Sequence, residues 1–107
     1  MKTGFSQKHI ELLPLDNLTV AQFLRLAIES ANLLGWILGN INETGYIAYT
    51  NNGLFSWNAE IKLKIENGLS TLQSQSKGDG IKDSKENKKN IRGFISTFES
   101  LKKKINT

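Results

Sequence analysis

Apolar residues recur along residues 19–35 at the spacing of one helical face. They follow the i, i+3, i+4, i+7 pattern and are Val20, Phe23, Leu24, Ala27, Ile28, Ala31 and Leu34. Thr19, with Gln22 three residues later, matches a capping box at the start of a helix. Gly35 suits the left-handed position that follows a last turn. The pattern predicts an amphipathic helix over residues 19–35.

Beyond Gly35 the hydrophobic period shortens to two residues, which indicates strands. The segments WILGNIN and YIAYTN are separated by ETG, and this arrangement predicts a hairpin with a glycine-containing turn. Gly39 and Asn40 interrupt the alternation in the first segment. The sequence of residues 5–15 indicates a short edge strand. We expect it to end at Pro14, because proline cannot donate a hydrogen bond to a neighbouring strand.

The segments AEIKLKIE and LSTLQSQS predict a second hairpin. Asn67-Gly68 lies between them and favours a type I′ turn, since both positions tolerate positive φ. This two-residue loop aligns three pairs across the hairpin: Leu63 with Leu72, Ile65 with Ser70, and Ile61 with Ser74. The inner face of the last strand is therefore small and hydroxylated, so a helix can approach it closely.

A second helix is predicted in the C-terminal third, where Asp83 and Glu86 match a capping box. Its apolar stripe consists of Ile91, Phe94, Ile95, Phe98, Leu101 and Ile105. The whole pattern predicts one α+β domain over residues 1–107. We expect an antiparallel sheet of four to five strands with the N-terminal and C-terminal helices packed on one face.

The composition of the chain excludes several classes of function. The chain has no cysteine, which excludes disulfides and thiolate chemistry. No apolar run reaches the roughly 18–20 residues that cross a bilayer, and the N-terminus has no signal-peptide pattern. We therefore expect a cytoplasmic location.

Positive charge is concentrated near the C-terminus. Residues 1–76 have five Lys and Arg against six Asp and Glu, whereas residues 77–107 have nine against four. Lys85, Lys88, Lys89 and Arg92 form a candidate binding surface, which Lys77 and Lys82 precede. Two interpretations stay open, a solvated helix face or contact with phosphate groups, and no nucleic-acid motif supports the second. The triplet Lys102–Lys104 is also compatible with a position just cytoplasmic of a membrane segment.

Asn87 and Asn90 lie four residues before Ile91 and Phe94, so they continue the apolar stripe. Buried amides need partners, because an unsatisfied one costs about 1–3 kcal/mol. They are expected to bond the sheet edge or the serines of the last strand. The alternative is a polar pocket under the helix N-terminus, formed by Asn87, Asn90 and Trp57, that binds a small ligand.

The stretch NNGLFSWNAE contains three large apolar residues after a turn. Strand alternation predicts that Phe55 and Trp57 face the helices as core or core-edge residues, with Leu54 at a solvent-facing tip. An aromatic loop that presents these rings to a partner is the alternative.

No set of residues matches a catalytic or metal-binding pattern. His9 is the only histidine and is expected at a surface or edge position. We expect no catalytic residue, no cofactor and no metal site.

Four segments in this order resemble a bacterial soluble domain that accompanies rhomboid-type intramembrane proteins. They are LTVAQFLRLAIESANLLGW, FSWNAEIKLKI, STLQSQS and KENKKNIRGFISTF, and the resemblance spans residues 18–98. The chain departs from that pattern at WNAE and SKEN, where the domain has a glycine after the Trp and before the Lys-Asn. The resemblance implies a soluble cytoplasmic accessory domain and carries over no catalytic residue, because rhomboid catalysis uses membrane helices.

Together these features predict a non-catalytic binding or regulatory module whose partner is a protein or membrane surface. The alternative is a small basic nucleic-acid-binding protein that uses the Lys77–Arg92 face. The sequence predicts no oligomeric state.

Overall fold

The computed structural model describes residues 8–51, 57–76 and 81–105. In chain order its elements are β1 (Lys8–Pro14), α1 (Val20–Leu33), β2 (Ile37–Asn42), β3 (Gly45–Asn51), β4 (Trp57–Glu66), β5 (Leu69–Ser76) and α2 (Ile81–Ile105). The strands form one antiparallel sheet in the order β1-β5-β4-β3-β2. This confirms the predicted α+β class with five strands, and β1 is the expected edge strand with Pro14 as its last residue.

The β4–β5 hairpin has the predicted register. Leu63 pairs with Leu72, Ile65 with Ser70, and Ile61 with Ser74. Asn67 and Gly68 at the turn have φ values of 55° and 76°. These are the left-handed values that a type I′ turn requires, so the turn chemistry and the strand alternation together determine which residues face the core.

Both helices pack on one face of the sheet. On this covered face the β4 and β5 side chains are buried, namely Ala59, Ile61, Leu63, Ile65, Ser70, Leu72, Ser74 and Ser76. Lys62, Lys64 and Glu66 alternate with them and are exposed on the other face. The hydroxyl of Tyr46 in β3 donates to the carbonyl of Ala27 in α1 at 2.8 Å, which joins the first helix to the sheet.

Aromatic rings fill the space between the two helices. Phe23 of α1 lies 4.6 Å from Phe98 of α2, measured between ring centroids. Phe94 lies 5.7 Å from Phe98 and 6.1 Å from Trp36, which follows α1. These rings are almost entirely removed from solvent, and burial of large aromatic side chains dominates core energetics.

The predicted start of α1 is confirmed. Thr19 is the N-cap, its hydroxyl accepts from the Gln22 N–H at 3.1 Å, and the Gln22 side chain accepts from the Thr19 N–H at 2.8 Å. Gly35 has a φ of 79° immediately after the C-cap Leu34. The local sequence therefore determines both ends of this helix.

The predicted buried face of α1 is partly wrong. The buried residues are Phe23, Leu26, Ala27, Ser30 and Ala31, whereas Val20 is 39% exposed. Ser30 can occupy the core because its hydroxyl donates to the Leu26 carbonyl at 2.8 Å. The buried stripe is thus rotated away from Val20, and Leu24 and Ile28 remain only partly buried.

Two predictions for α2 are also wrong. The helix begins at Ile81, so Asp83 lies inside its first turn and is not the cap. An acidic residue interacts favourably with the helix dipole both at the N-cap and in the first turn. The sequence pattern therefore does not distinguish these two positions. Ile105 is 54% exposed. With 25 residues, α2 is about 37 Å long, and Ile105 is its last residue.

Candidate functional site

Four cations lie on the solvent side of α2 and form what we call the basic face: Lys85, Lys88, Lys89 and Arg92. Their spacing places them on one side of the helix, opposite the buried Ile91 and Phe94. All four side chains are exposed. Together with Gly93 they line a shallow depression of about 460 Å³. The structure thus brings the predicted binding-surface residues together on a single surface.

The basic face lacks an acidic neighbour within bonding distance among the described residues. Ion pairs among the described residues join Lys62 to Glu60, Lys64 to Glu66 and Lys102 to Asp16. None of them includes a residue of the basic face. Its positive charge is therefore available to an external anion.

Lys102 differs from the rest of the C-terminal triplet. Its ammonium group donates to the Asp16 carboxylate at 3.0 Å, and its side chain is only 18% exposed. Asp16 lies in the turn after β1 with a φ of 57°. This pair joins the end of α2 to the β1–α1 connection, so Lys102 has a structural partner that the sequence did not reveal.

A buried polar network lies under the N-terminal half of α2. The Ser74 hydroxyl donates to the Asn87 side-chain oxygen at 2.8 Å, and the Asn87 amide donates to the Ser76 hydroxyl at 3.1 Å. The Asn90 amide donates to the Ser74 hydroxyl at 3.1 Å. Asn87 is fully buried. The small serine side chains allow α2 to approach β5 closely enough for these bonds.

These hydrogen bonds are the ones expected from the structural interpretation of Asn87 and Asn90. In the described residues every buried side-chain nitrogen or oxygen has a hydrogen-bond partner. Trp57 begins β4 with its backbone opposite Asn51, but its side chain lies outside the described part, as do Leu54 and Phe55. The small-ligand pocket and the placement of these aromatic side chains therefore stay predictions.

His9 is on the edge strand β1, as expected, and its Nε2 lies 2.9 Å from a Glu11 carboxylate oxygen. Within residues 8–51, 57–76 and 81–105 there is no cluster of three His, Cys, Asp or Glu side chains that could hold a metal. In the same ranges no helix has both the length and the apolar composition needed to span a membrane.

The structure also shows a surface groove that the sequence analysis missed. It has a volume of about 440 Å³ and is lined by Val20, Ala21, Leu24, Arg25, Ile28 and Glu43. The rotation of the buried stripe of α1 leaves these apolar side chains at the surface. The sequence pattern did not indicate this groove, because Val20 fits the apolar spacing of the helix and was assigned to the core.

Comparisons with known proteins give no relative for this chain: no family model matches it, and no curated protein or solved structure is significantly similar to it.

Proposed function

We propose that the protein is a non-catalytic binding module that contacts an anionic partner surface through the basic face of α2. The observation that supports this proposal most strongly is the group of exposed cations Lys85, Lys88, Lys89 and Arg92, none of which is in an ion pair within the described residues. Excess charge of one sign attracts oppositely charged surfaces and raises their association rate.

The expected affinity of this surface is low. A Lys or Arg near an anionic membrane contributes about 1 kcal/mol, so four residues supply about 4 kcal/mol. That energy corresponds to a dissociation constant near 1 mM. Binding of this strength is useful mainly when the module is already held near its partner, because tethering supplies a high effective concentration.

A tethered module of this kind agrees with the resemblance to the soluble domain of rhomboid-type proteins. We propose that the chain acts as a cytoplasmic accessory domain of such a membrane protein and that its basic face contacts the adjacent anionic membrane surface. Lys103 is also exposed on this side of α2, and the exposed Glu99 lies between it and Arg92.

Vesicle binding by matched variants tests this proposal. Lys88→Gln with Lys89→Gln removes two charges from the basic face, and Lys62→Gln with Lys64→Gln removes two exposed charges from the opposite face of the sheet. The first pair should weaken binding to phosphatidylserine-containing vesicles about 30-fold, which corresponds to about 2 kcal/mol. The second pair should change binding less than about threefold.

Equal effects of the two variants would contradict the proposal, since binding would then depend on net charge alone. No binding by the wild-type protein at low salt would contradict it as well. A purified domain that turned over a substrate, and lost that activity on a single polar substitution, would refute the non-catalytic assignment.

The alternative is a nucleic-acid-binding protein that uses the Lys77–Arg92 face, and the same exposed cations favour it. It predicts weak binding to a short DNA duplex that decreases steeply with salt. Charge reversal of Lys85, Lys88 and Lys89 to Glu should abolish that binding. Duplex binding that is unchanged by the reversal would eliminate this alternative.

A further inference from the structure

The two edges of the sheet differ in regularity. All of β1 pairs with β5 without a register shift. At the opposite edge β2 has a bulge between Leu38 and Asn40. Bulges are one of the features that prevent a strand edge from accepting another strand. The regular edge β1 has no bulge against β5, so it is the edge that is better suited to strand addition.

Hydrogen-bonding groups of β1 point outward at alternate residues. The Leu15 N–H donates to the Gly68 carbonyl at 3.2 Å, which shows that odd-numbered residues direct their backbone groups toward β5. The even-numbered residues therefore direct theirs away from the sheet. Lys8, Ile10 and Leu12 present both an N–H and a carbonyl group in this direction.

Two apolar side chains accompany these outward groups. Ile10 is 45% exposed and Leu12 is 57% exposed. They pair with Gln73 and Thr71 of β5 and lie on the face of the sheet that the helices leave uncovered. Leu69, which is opposite Pro14, is also exposed on this face. A strand added to β1 would cover part of this apolar surface.

We propose that β1 pairs antiparallel with β1 of a second copy of this chain, about a two-fold axis at Ile10. The two five-stranded sheets then form one sheet of ten strands. Ile10 lies opposite Ile10 of the partner subunit, and Lys8 lies opposite Leu12 of the partner subunit. Every outward N–H and carbonyl group of these three residues gains a partner. This interface is separate from the basic face and does not depend on the proposed function.

The side chains of β1 complement those of a second β1 strand, and they do so best in the register with the axis at Ile10. With the axis at Ile10, His9 lies opposite Glu11 of the partner subunit on both sides of the axis, so the imidazole nitrogen that contacts Glu11 of its own chain at 2.9 Å can contact the partner's carboxylate instead. An axis at Glu11 would place two carboxylates directly opposite each other, and like charges at such positions are destabilising. An axis at Leu12 would place Pro14, which has no N–H, opposite Ile10.

Cysteine cross-linking tests the register directly, because the chain has no cysteine of its own. Residues in a hydrogen-bonded antiparallel pair have Cα atoms about 5.5 Å apart, a separation that a disulfide can bridge. Ile10→Cys should therefore form a covalent dimer on mild oxidation. Leu12→Cys should not, because its two copies would be about 13 Å apart along the strands. Equal cross-linking of both variants would refute the register.

Analytical sedimentation of matched lysine variants tests whether the protein dimerises through the β1 edge. The wild-type protein should dimerise within the range of about 10 µM to 1 mM. Ile10→Lys should be monomeric over that range. Ile41→Lys on β2, where the native side chain is 49% exposed, should still dimerise. Circular dichroism of each variant verifies that it is folded.

A monomeric wild-type protein at the highest concentration would overturn the proposal, as would dimers that survive Ile10→Lys. The effect of salt concentration distinguishes dimerisation through β1 from binding through the basic face. Each copy has a net charge of +4, so screening should strengthen dimerisation, whereas it should weaken binding of an anionic partner.

Discussion

Asn87 offers the most direct test of how α2 is held on the sheet. Substitution of Asn87 by Ala removes an acceptor from the Ser74 hydroxyl and a donor from the Ser76 hydroxyl. A buried polar group that is left without a partner costs about 1–3 kcal/mol, and the Ser74 hydroxyl loses the acceptor for its proton. Ser76 is 5% exposed and Ser74 is fully buried, so water cannot readily replace the lost bond at Ser74. We expect the free energy of unfolding to decrease by about 2–4 kcal/mol.

Urea unfolding followed by circular dichroism measures this decrease. A domain of this size is stable by about 5–15 kcal/mol, so the midpoint should shift clearly while the slope stays constant. Asn90→Ala is the matched control, because Asn90 is only partly buried and its amide donates one hydrogen bond to the network, at Ser74. It should cost about 1 kcal/mol.

A combined variant separates the free-energy cost of leaving buried polar groups without partners from the cost of lost packing. Replacing Asn87 and Asn90 by Leu together with Ser74→Ala and Ser76→Ala removes all four side chains of the network at once. Such a replacement can be nearly neutral when the shapes fit, so this variant should be more stable than Asn87→Ala. If Asn87→Ala changes the unfolding free energy by less than about 0.5 kcal/mol, smaller than a typical hydrogen bond, the network does not hold α2.

Two further predictions concern α1 and its contact with the sheet. Thr19→Ala removes the N-cap acceptor for the Gln22 N–H and should lower the unfolding free energy by about 1 kcal/mol, measured by urea titration; an unchanged midpoint would contradict the assigned cap. Burial raises the pKa of Tyr46 far above its ordinary value near 10, so its neutral form is favoured in the fold, and stability should fall as the pH rises above about 10. Tyr46→Phe should reduce this alkaline loss while costing about 1 kcal/mol at neutral pH, and an identical pH dependence of thermal unfolding in both proteins would refute the assignment.

The parts of the fold that the sequence predicted are those determined by local chemistry. Asn67-Gly68 permits one tight turn, and strand alternation then determines the register of the whole β4–β5 hairpin. The capping box at Thr19 likewise involves only residues within one turn of α1. Such features need no knowledge of the rest of the chain.

The rotation of α1 could not be predicted in the same way. The helix has more apolar positions than its core-facing side can bury, so packing against α2 and the sheet decides which are covered. Leu26 and Ser30 are buried while Val20 is exposed. The ion pair between Lys102 and Asp16 joins residues 86 positions apart, and no local pattern indicates it. The residues of the basic face were predictable, but their lack of ion pairs required the fold.

The buried network and the basic face lie on the same turns of α2. Asn87 is directly followed by Lys88 and Lys89, and a residue's neighbours along a helix point in different directions. Anchoring Asn87 to Ser74 and Ser76 therefore fixes which way the lysines face. The network thus orients the surface that we propose for binding.

Amide-resolved NMR of the labelled protein, titrated with phosphatidylserine-containing vesicles, tests the central claim most directly. At about 0.15 M salt the Debye length is roughly 8 Å, so only groups close to the partner surface should respond. We predict signal changes concentrated on the α2 turns that carry Lys85, Lys88, Lys89 and Arg92, and little change on the uncovered face around Lys62 and Lys64. Changes centred on the uncovered face, or no change with vesicles at any salt concentration, would contradict the assignment of the basic face as the membrane-binding surface.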